Sequence, residues 1–233
     1  MRLVIVALAS LPLVCAGKAA SLPRIIASAE NPVPPCVTPA SLMDFVATRN
    51  ASQQPPRAIE ARFAHVADLY RQFGRCVARP PETCIAVRWD YAFFQMLIET
   101  NYLTFLRPNG VPAAVTAGDN NFAGVGATVS GKPGERFKDV PTGVLAHLQH
   151  LLMYSTTRIP DPVARRTRQV QDDVQEAMRK LNRPVSFADL AHEWTGTDRN
   201  RYGAELQKLA DKFAASYCHE PSSLRTSLNL PRS

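Results

Sequence analysis

The sequence lacks the short motifs that identify several common classes of protein. No CxxC pair or close cysteine–histidine cluster is present, so a structural zinc site is not expected. His192-Glu193 has no second histidine at the spacing of a zinc-protease helix, and Ser130 lacks the GxSxG context of a serine hydrolase. His147 and His150 can share one helix face, but no acid or third histidine is near them in sequence. We therefore expect neither a metal nor a cofactor.

Long apolar runs are also scarce. The chain has one such run near its start, and no later stretch is long enough to span a membrane. Residues 1–20 have the form of a signal peptide: a basic residue, an apolar run, and small residues at Ala19 and Ala20 for cleavage. The run is shorter than the roughly 20 residues of a membrane span. An uncleaved anchor and a lipoprotein modified at Cys15 are the alternatives. We predict a cleaved leader and a periplasmic mature protein.

Four cysteines follow the leader: Cys36, Cys76, Cys84 and Cys218. An even number in an exported chain predicts disulfides, and three pairings are possible. Residues 79–81, Arg-Pro-Pro, are typical of a tight turn, so we favour a local bridge between Cys76 and Cys84. Cys36 then pairs with Cys218 and ties the two ends of the domain together. Free buried thiols are the alternative.

The charge balance is moderately basic, with 27 Lys and Arg against 20 Asp and Glu and a formal net charge of +7. Loss of Arg2 and Lys18 with the leader leaves 25 basic residues against 20 acidic ones, or +5. A basic surface favours an anionic polymer such as peptidoglycan, with its peptide carboxylates, or a membrane surface. Export and the lack of a basic segment interleaved with aromatic residues argue against nucleic acid as a partner.

Beyond the leader, the sequence predicts one mainly helical domain without internal repeats. Residues 21–57, rich in Pro, Ser, Ala and Asn, are interpreted as a linker and N-terminal extension that carries a short helix. Residues 58–220 form the domain, and the tail 221–233 is expected to be disordered. Glycines between 109 and 139 predict loops and a small hairpin, so the fold class is mainly α (α+β) with an irregular β lobe. Apolar spacing predicts helices near 41–48, 58–73, 89–105, 142–154, 164–181, 186–194 and 202–217.

Glu99 is the candidate for chemistry because it lies within the most apolar stretch of the mature chain, residues 89–105. Such a helix is expected at the centre of the core, where burial disfavours the carboxylate and raises its pKa. A carboxyl group kept protonated near neutral pH can donate a proton to a leaving oxygen, as glycoside cleavage requires. The alternative is a helix carboxylate that pairs with Arg88 or Arg107.

Four segments within residues 85–215 resemble, in the same order, those of bacterial glucosaminidases of glycoside hydrolase family 73. This group includes the muramidase-like domain of flagellar assembly proteins. The resemblance implies a lysozyme-like helical fold, a peptidoglycan substrate and Glu99 as the catalytic acid. The segments are 94–102 (FQMLIETNY), 119–127 (DNNFAGVGA), 135–148 (ERFKDVPTGVLAHL) and 197–203 (TDRNRYG).

Chemistry and position within these segments suggest roles for further residues. Tyr202 is expected near the acid, where it orients a substrate acetamide or a water, although a core tyrosine is the alternative. Asn120 and Asn121 are candidates to bind sugar hydroxyls and N-acetyl groups, with turn formation as the alternative. Phe122 and Tyr102 either stack on sugar faces or pack in the core.

The chain departs from the family pattern in two places. The family's Gly-Trp-Gly after the acid is Asn-Tyr-Leu at residues 101–103, with tyrosine in the tryptophan's place. The lobe that can carry a second carboxylate is short, and its nearby acids after Asp119 are Glu135 and Asp139. Either is a candidate catalytic base. If neither is close to the acid, the substrate's own acetamide can act as the nucleophile.

We therefore expect a monomeric endo-N-acetylglucosaminidase-like hydrolase that cleaves the glycan strands of peptidoglycan. A muramidase or lytic transglycosylase on the same scaffold is the second enzymatic interpretation. A peptidoglycan-binding accessory that has lost turnover is the non-enzymatic one. A secretion or flagellar assembly is a candidate partner of either.

Overall fold

The computed structural model describes residues 22–77, 84–107, 110, 115–127, 133–190 and 199–218, so the predicted leader and tail lie outside the described residues. The fold is mainly helical, as predicted. Two short 3-10 turns, Ala61–Phe63 and Ala117–Asp119, accompany the α-helices. The α-helices are α1 Pro39–Ala51, α2 Val66–Gly74, α3 Trp89–Glu99, α4 Val140–Tyr154, α5 Arg165–Arg179, α6 from residue 187 with its described part ending at 190, and α7 Arg199–Tyr217.

Local sequence explains where the helices begin. The Thr38 side chain accepts a hydrogen bond from the Ser41 backbone N–H, and Pro39 occupies the first turn of α1, where its missing N–H costs nothing. Asp139 caps α4 in the same way through the Thr142 backbone N–H. These caps place both helix starts two residues before the predicted ones.

The core is built around α3, which packs against α2, α4 and α7. Its aromatic and aliphatic side chains are almost fully buried, as expected for a helix that is apolar on most sides. The sequence predicted a helix that continues to residue 105, but α3 ends at Glu99. Thr100 explains the stop, because its Oγ1 bonds the Met96 carbonyl and accepts from the Leu103 backbone N–H. This side chain satisfies backbone groups that a further helical turn would have used.

The segment interpreted as a linker, residues 21–57, belongs to the core where the structure describes it. Ile25 is 0% exposed. Its backbone N–H donates to the Val185 carbonyl, and its carbonyl accepts from the Arg88 N–H. The composition pointed to a linker, whereas extended pairing with two distant segments holds residues 24–26 in place.

Both predicted disulfides are present. Cys76 and Cys84 close a short loop, and Cys36 joins Cys218 across a separation of 182 residues. The long bridge fastens the end of α7 to the segment before α1. Two such bridges are typical of a protein from an oxidising compartment.

The predicted hairpin between 109 and 139 is not seen among the described residues of that stretch, which run as loops and one 3-10 turn. Isolated β-bridges join Arg24 to Ser186, Ile26 to Val87 and Ser28 to Asn31, all through the N-terminal segment. None of the described helices combines the length and the apolar character that a membrane crossing requires.

The long disulfide should contribute most of the covalent stabilisation. In the chain-entropy view, a loop of this length contributes about 5 kcal/mol and the short loop about 2–3 kcal/mol. We expect Cys36→Ser/Cys218→Ser to lower the free energy of unfolding by more than the control pair Cys76→Ser/Cys84→Ser, as measured by denaturant unfolding. Equal losses would show that loop length does not govern the effect.

Candidate functional site

Glu99 is half-buried at the last position of α3, where the central helix reaches the surface. Tyr202 of α7 donates a hydrogen bond from its hydroxyl to Glu99 Oε1 at 3.1 Å. Burial, followed by the nearby Glu99 charge, raises the pKa of Tyr202 well above its ordinary value. The phenol therefore stays protonated and remains a donor to the carboxyl group. The structure thus brings together the expected acid and the expected tyrosine.

The second carboxyl oxygen, Glu99 Oε2, faces a glycine. A Cβ atom built on Gly124 would lie 3.7 Å from Oε2, and the φ of Gly124 is +61°. Glycine supplies this left-handed backbone at no steric cost and adds no side chain beside the carboxyl group. One oxygen of Glu99 thus accepts a hydrogen bond from Tyr202, and Gly124 leaves space beside the other.

Asn121 organises the loop that carries Gly124. Its side-chain nitrogen donates to the carbonyls of Val125 and Glu135, both at 2.9 Å, and its oxygen accepts from the Val125 N–H at 3.0 Å. Asn121 is 0% exposed. The residue forms the turn, which was the alternative to sugar binding, and its sugar-binding role stays an unsupported prediction.

Asn120 and Phe122 also have structural contacts. Asn120 adopts a left-handed φ of +49°, and its side chain donates to the Phe137 carbonyl at 3.0 Å. Phe122 is 0% exposed and packs edge-on against Phe63. The buried ring has no face exposed for stacking on a sugar. The loop is also held against α4, because a Cβ on Gly143 would meet the Asn120 carbonyl oxygen at 1.8 Å.

Tyr102 lies in an unusual backbone stretch directly after the acid. Asn101, Tyr102 and Leu103 have φ values of +46°, +59° and +63°. Left-handed conformation costs a non-glycine residue roughly 1–2 kcal/mol. The Tyr102 ring is partly exposed, packs under the Arg49 guanidinium and lines a cavity of about 310 Å³ with Lys208 and other residues of α3 and α7. Of the predicted sugar-stacking residues, Tyr102 is the one with an accessible ring.

The two candidate bases are both engaged as helix caps. Glu135 accepts hydrogen bonds from the backbone N–H groups of Arg165 and Arg166, at the start of α5. Asp139 caps α4, and its bonds to Thr142 lower the pKa of its carboxyl group. Carboxylates at helix N-termini are stabilised in their charged form. A catalytic role for Glu135 stays a prediction without geometric support.

Arg88, which the sequence offered as a partner for Glu99, is used elsewhere. It forms a two-pronged ion pair with Asp90 at 2.8 and 2.5 Å and also donates to Asn31 at 3.0 Å. Asp90 is 1% exposed. Because this pair lies at the opposite end of α3, the proposed Arg88–Glu99 pairing is wrong.

The histidines of α4 are buried and neutral. His147 lies 2.7 Å from the Tyr70 hydroxyl, and His150 lies 2.8 Å from the Thr167 hydroxyl. Burial lowers the pKa of His147 to about 3 and that of His150 to about 4. Within the described part of the chain, no group of three or more His, Cys, Asp or Glu side chains could hold a metal ion.

Sequence reasoning missed two features of this site. Gln95 lies one turn before Glu99 on α3, and its side chain is fully buried beside His147. The sequence could have indicated that Gln95 lies near Glu99, because residues four positions apart share one face of a helix. Gly124 was recognised as a loop residue only, since its approach to Glu99 depends on the tertiary fold.

Comparison with known proteins supplies no functional name. No family model matches the chain, and no solved structure matches it. An uncharacterized protein of Borreliella burgdorferi is 39% identical over 70 residues. That match covers 30% of this chain and 31% of the relative. The likeness therefore identifies neither a family nor an activity.

The left-handed stretch yields a stability prediction. Asn101 tolerates its positive φ and donates from its side chain to the Leu106 carbonyl at 2.8 Å. Asn101→Ala loses the bond and keeps the strain, so we expect a loss of about 1–3 kcal/mol in unfolding free energy. Asn101→Gly loses the bond but relieves the strain, and should unfold at a higher denaturant concentration than the alanine variant. The reverse order would contradict the strain argument.

The buried histidines predict acid sensitivity. Their folded-state pKa values lie below the unfolded value of about 6.5, so the unfolded chain takes up protons first as the pH falls. The contribution of each histidine to the free energy of unfolding is therefore fully present above about pH 6.5. Lowering the pH from 7.5 to 5 should reduce the free energy of unfolding by about 2 kcal/mol for each histidine. His150→Asn can keep the hydrogen bond to Thr167 but does not titrate. Denaturant unfolding at pH 7.5 and pH 5 should therefore show a loss of stability about 2 kcal/mol smaller in this variant than in wild type. An equal loss of stability between the two pH values in wild type and His150→Asn would contradict this account.

Proposed function

We propose that this protein is a peptidoglycan hydrolase, endo-N-acetylglucosaminidase-like, with Glu99 as its general acid. The observation that carries the proposal is the hydrogen bond that a buried phenol donates to this half-buried carboxyl group. Tyr202 donates to Oε1 at 3.1 Å, at the end of the central apolar helix. An acid that transfers a proton must be held in position at a place that the substrate can reach.

The reaction begins with the proton of Glu99 passing from Oε2 to the glycosidic oxygen as the carbon–oxygen bond breaks. The substrate's acetamide oxygen then bonds to the anomeric carbon and takes the place of a protein nucleophile. Water next adds to that carbon and returns a proton to Glu99, which frees the acetamide. This route agrees with the engagement of Glu135 and Asp139 as helix caps.

The backbone after Glu99 gives independent support to the resemblance. The family's Gly-Trp-Gly corresponds here to residues 101–103, which contain no glycine. All three residues nevertheless have a positive φ, which glycine adopts most readily. This costly conformation in non-glycine residues suggests that it shapes the surface around the acid, including the partly exposed Tyr102 ring.

The cellular setting of the proposal is the periplasm. Two disulfides suit an oxidising compartment, and residues 1–20 have the form of a cleavable signal peptide. The mature chain's basic character suits a wall polymer that carries peptide carboxylates. We propose a monomer that acts on glycan strands, alone or beside a secretion or flagellar assembly.

A lytic transglycosylase is the second candidate, favoured by the engagement of the candidate bases Glu135 and Asp139 as helix caps in the described part of the chain. Such an enzyme uses one acid, and a hydroxyl of the sugar itself replaces water as the attacking group. Mass spectrometry of the released fragments separates the two reactions, because transglycosylation leaves anhydro-sugar ends and hydrolysis leaves reducing ends.

The direct test replaces the acid. Glu99→Gln keeps the size of the side chain and its contact with Tyr202 but removes the transferable proton. We expect release of soluble fragments from purified sacculi to fall by about 100-fold or more, with unchanged folding by circular dichroism. Glu176→Gln, an exposed change on α5, is the matched control and should retain full activity. Equal digestion by wild type and Glu99→Gln would refute the proposal.

A further inference from the structure

A cavity of about 310 Å³ lies between the end of α3 and the middle of α7. Its apolar lining comes from Leu97 and Ile98 of α3, the ring of Tyr102 and Leu209 of α7. Ile98 directly precedes the proposed acid in the chain. This α3–α7 cavity therefore lies beside the proposed catalytic site.

The Tyr102 wall of the α3–α7 cavity is held in place by α1. Asn50 is 1% exposed, and its side-chain nitrogen donates to the Tyr102 carbonyl at 2.9 Å. The ring of Phe45 packs near the Tyr102 ring, and the Arg49 guanidinium lies 4.8 Å from the Tyr102 ring centroid. A wall that is fixed before a ligand arrives reduces the ordering cost of binding.

Positive charge is concentrated around the α3–α7 cavity. Lys208 and Lys212 of α7 line it, and both side chains are exposed to solvent. Neither lysine has an acidic ion-pair partner among the described residues. Arg49, over the Tyr102 ring, is a third cation beside the cavity. An anionic group bound here would therefore find cations that the described fold has not already paired.

The nearby acidic groups of α7 have partners. Glu205 lines the cavity but forms an ion pair with Arg201 at 3.0 Å. Asp211 accepts a hydrogen bond from Gln207 at 2.8 Å, on a neighbouring flank of the helix. With Arg49, Arg201 and the two lysines as cations, these two acids leave an excess of two positive charges. The cavity therefore suits a ligand that combines an apolar body with negative charge.

The spacing of the lysines favours a charge carried some distance from the cleaved bond. Lys208 and Lys212 lie six and ten residues after Tyr202, or about 9 and 15 Å along the helix. A carboxyl group attached directly to the sugar at Glu99 would lie nearer than this. An extended peptide of three or four residues spans about 10–14 Å. The peptide that peptidoglycan carries on alternate sugars, with small aliphatic side chains and carboxylates, has this reach.

We propose that the α3–α7 cavity binds the peptide stem of a peptidoglycan strand whose sugar lies at Glu99. Lys208 and Lys212 pair with a carboxylate of the peptide, and the apolar lining contacts its aliphatic side chains. This inference rests on the proposed function, which supplies the glycan substrate. The enzyme accordingly prefers strands that still carry their peptides.

The first experiment measures binding without turnover. The Glu99→Gln protein is titrated by calorimetry with peptide-bearing glycan strands, with the same strands after an amidase has removed the peptides, and with neutral chitooligosaccharides. Peptide removal leaves a carboxyl group on the sugar itself, so the second probe separates that source of charge from the peptide. We expect peptide-bearing strands to bind about 10-fold more tightly than either other probe, with a smaller difference at high salt. Equal affinity for strands with and without peptides would overturn the proposal.

Two matched pairs of lysine substitutions, made in the Glu99→Gln protein, test the cavity itself. Lys208→Gln/Lys212→Gln should reduce the affinity for peptide-bearing strands to that for peptide-free strands and leave the latter unchanged. Lys138→Gln/Lys180→Gln removes the same charge from two exposed positions outside the cavity and should keep the preference. Loss of the preference in this control pair as well would show that overall charge, and not the cavity, recognises the peptide.

Glu205→Gln supplies a change in the opposite direction. Removing the acid that lines the cavity should strengthen the binding of peptide-bearing strands by about 2- to 5-fold and leave peptide-free strands unaffected. Damage to the fold would not raise the affinity for one probe alone, so this result identifies recognition of charge. Weaker binding of peptide-bearing strands by Glu205→Gln would contradict the assigned site.

Digestion of both kinds of strand by the wild-type protein separates this inference from the proposed function. We expect a KM about 10-fold lower for peptide-bearing strands, because the cavity adds binding energy away from the cleaved bond. Fragment release with equal KM values would leave the hydrolase in place and overturn the cavity inference. If wild type cleaves neither strand while the lysine-dependent preference persists in calorimetry, the proposed hydrolysis fails and the cavity remains the binding site of the peptide.

Discussion

The hydrogen bond from Tyr202 to Glu99 joins α7 to the end of the central helix, α3. Its formation requires α7 to pack against α3, and the long disulfide at Cys218 fastens the far end of α7. The Tyr217 hydroxyl adds a bond to Asp44 of α1 at 2.6 Å. Distant parts of the sequence thus cooperate to place one phenol beside one carboxyl group.

The position of the carboxyl group depends equally on the end of α3. Thr100 satisfies backbone groups at this helix end, and the left-handed residues that follow turn the chain away. A helix that continued to residue 105 would have placed another helical turn directly after Glu99, where the chain now turns away. Ending the helix at Glu99 gives a carboxyl group that is supported by the core and reachable from outside.

Much of this arrangement could be predicted from local patterns. Apolar periodicity indicated most helices, and turn composition with an even cysteine count gave both disulfides. The mistaken linker at residues 21–57 arose because proline-rich extended segments that pair with a core share the composition of true linkers. Glu99 stood out because a carboxylate is rare in such an apolar helix. Its role, like that of Tyr202, stays a proposal.

The remaining features could not be read from the sequence because they depend on contacts between distant segments. Nothing local distinguishes Gln95 from an ordinary helix glutamine, or Gly124 from other loop glycines. Glu135 had the composition of a catalytic candidate, yet its carboxylate caps a helix that begins 30 residues later. Their hydrogen-bond partners distinguish catalytic from structural carboxylates, and these partners come from segments that are distant in sequence.

The most direct test of the account is a crystal structure of Glu99→Gln with a peptidoglycan glycan bound. We expect the scissile oxygen to lie about 3 Å from the side-chain atom that replaces Oε2, over Gly124, while Tyr202 still contacts the other atom. A glycan bound away from Gly124, with its glycosidic oxygens out of hydrogen-bond reach of residue 99, would contradict the assignment of Glu99 as the acid.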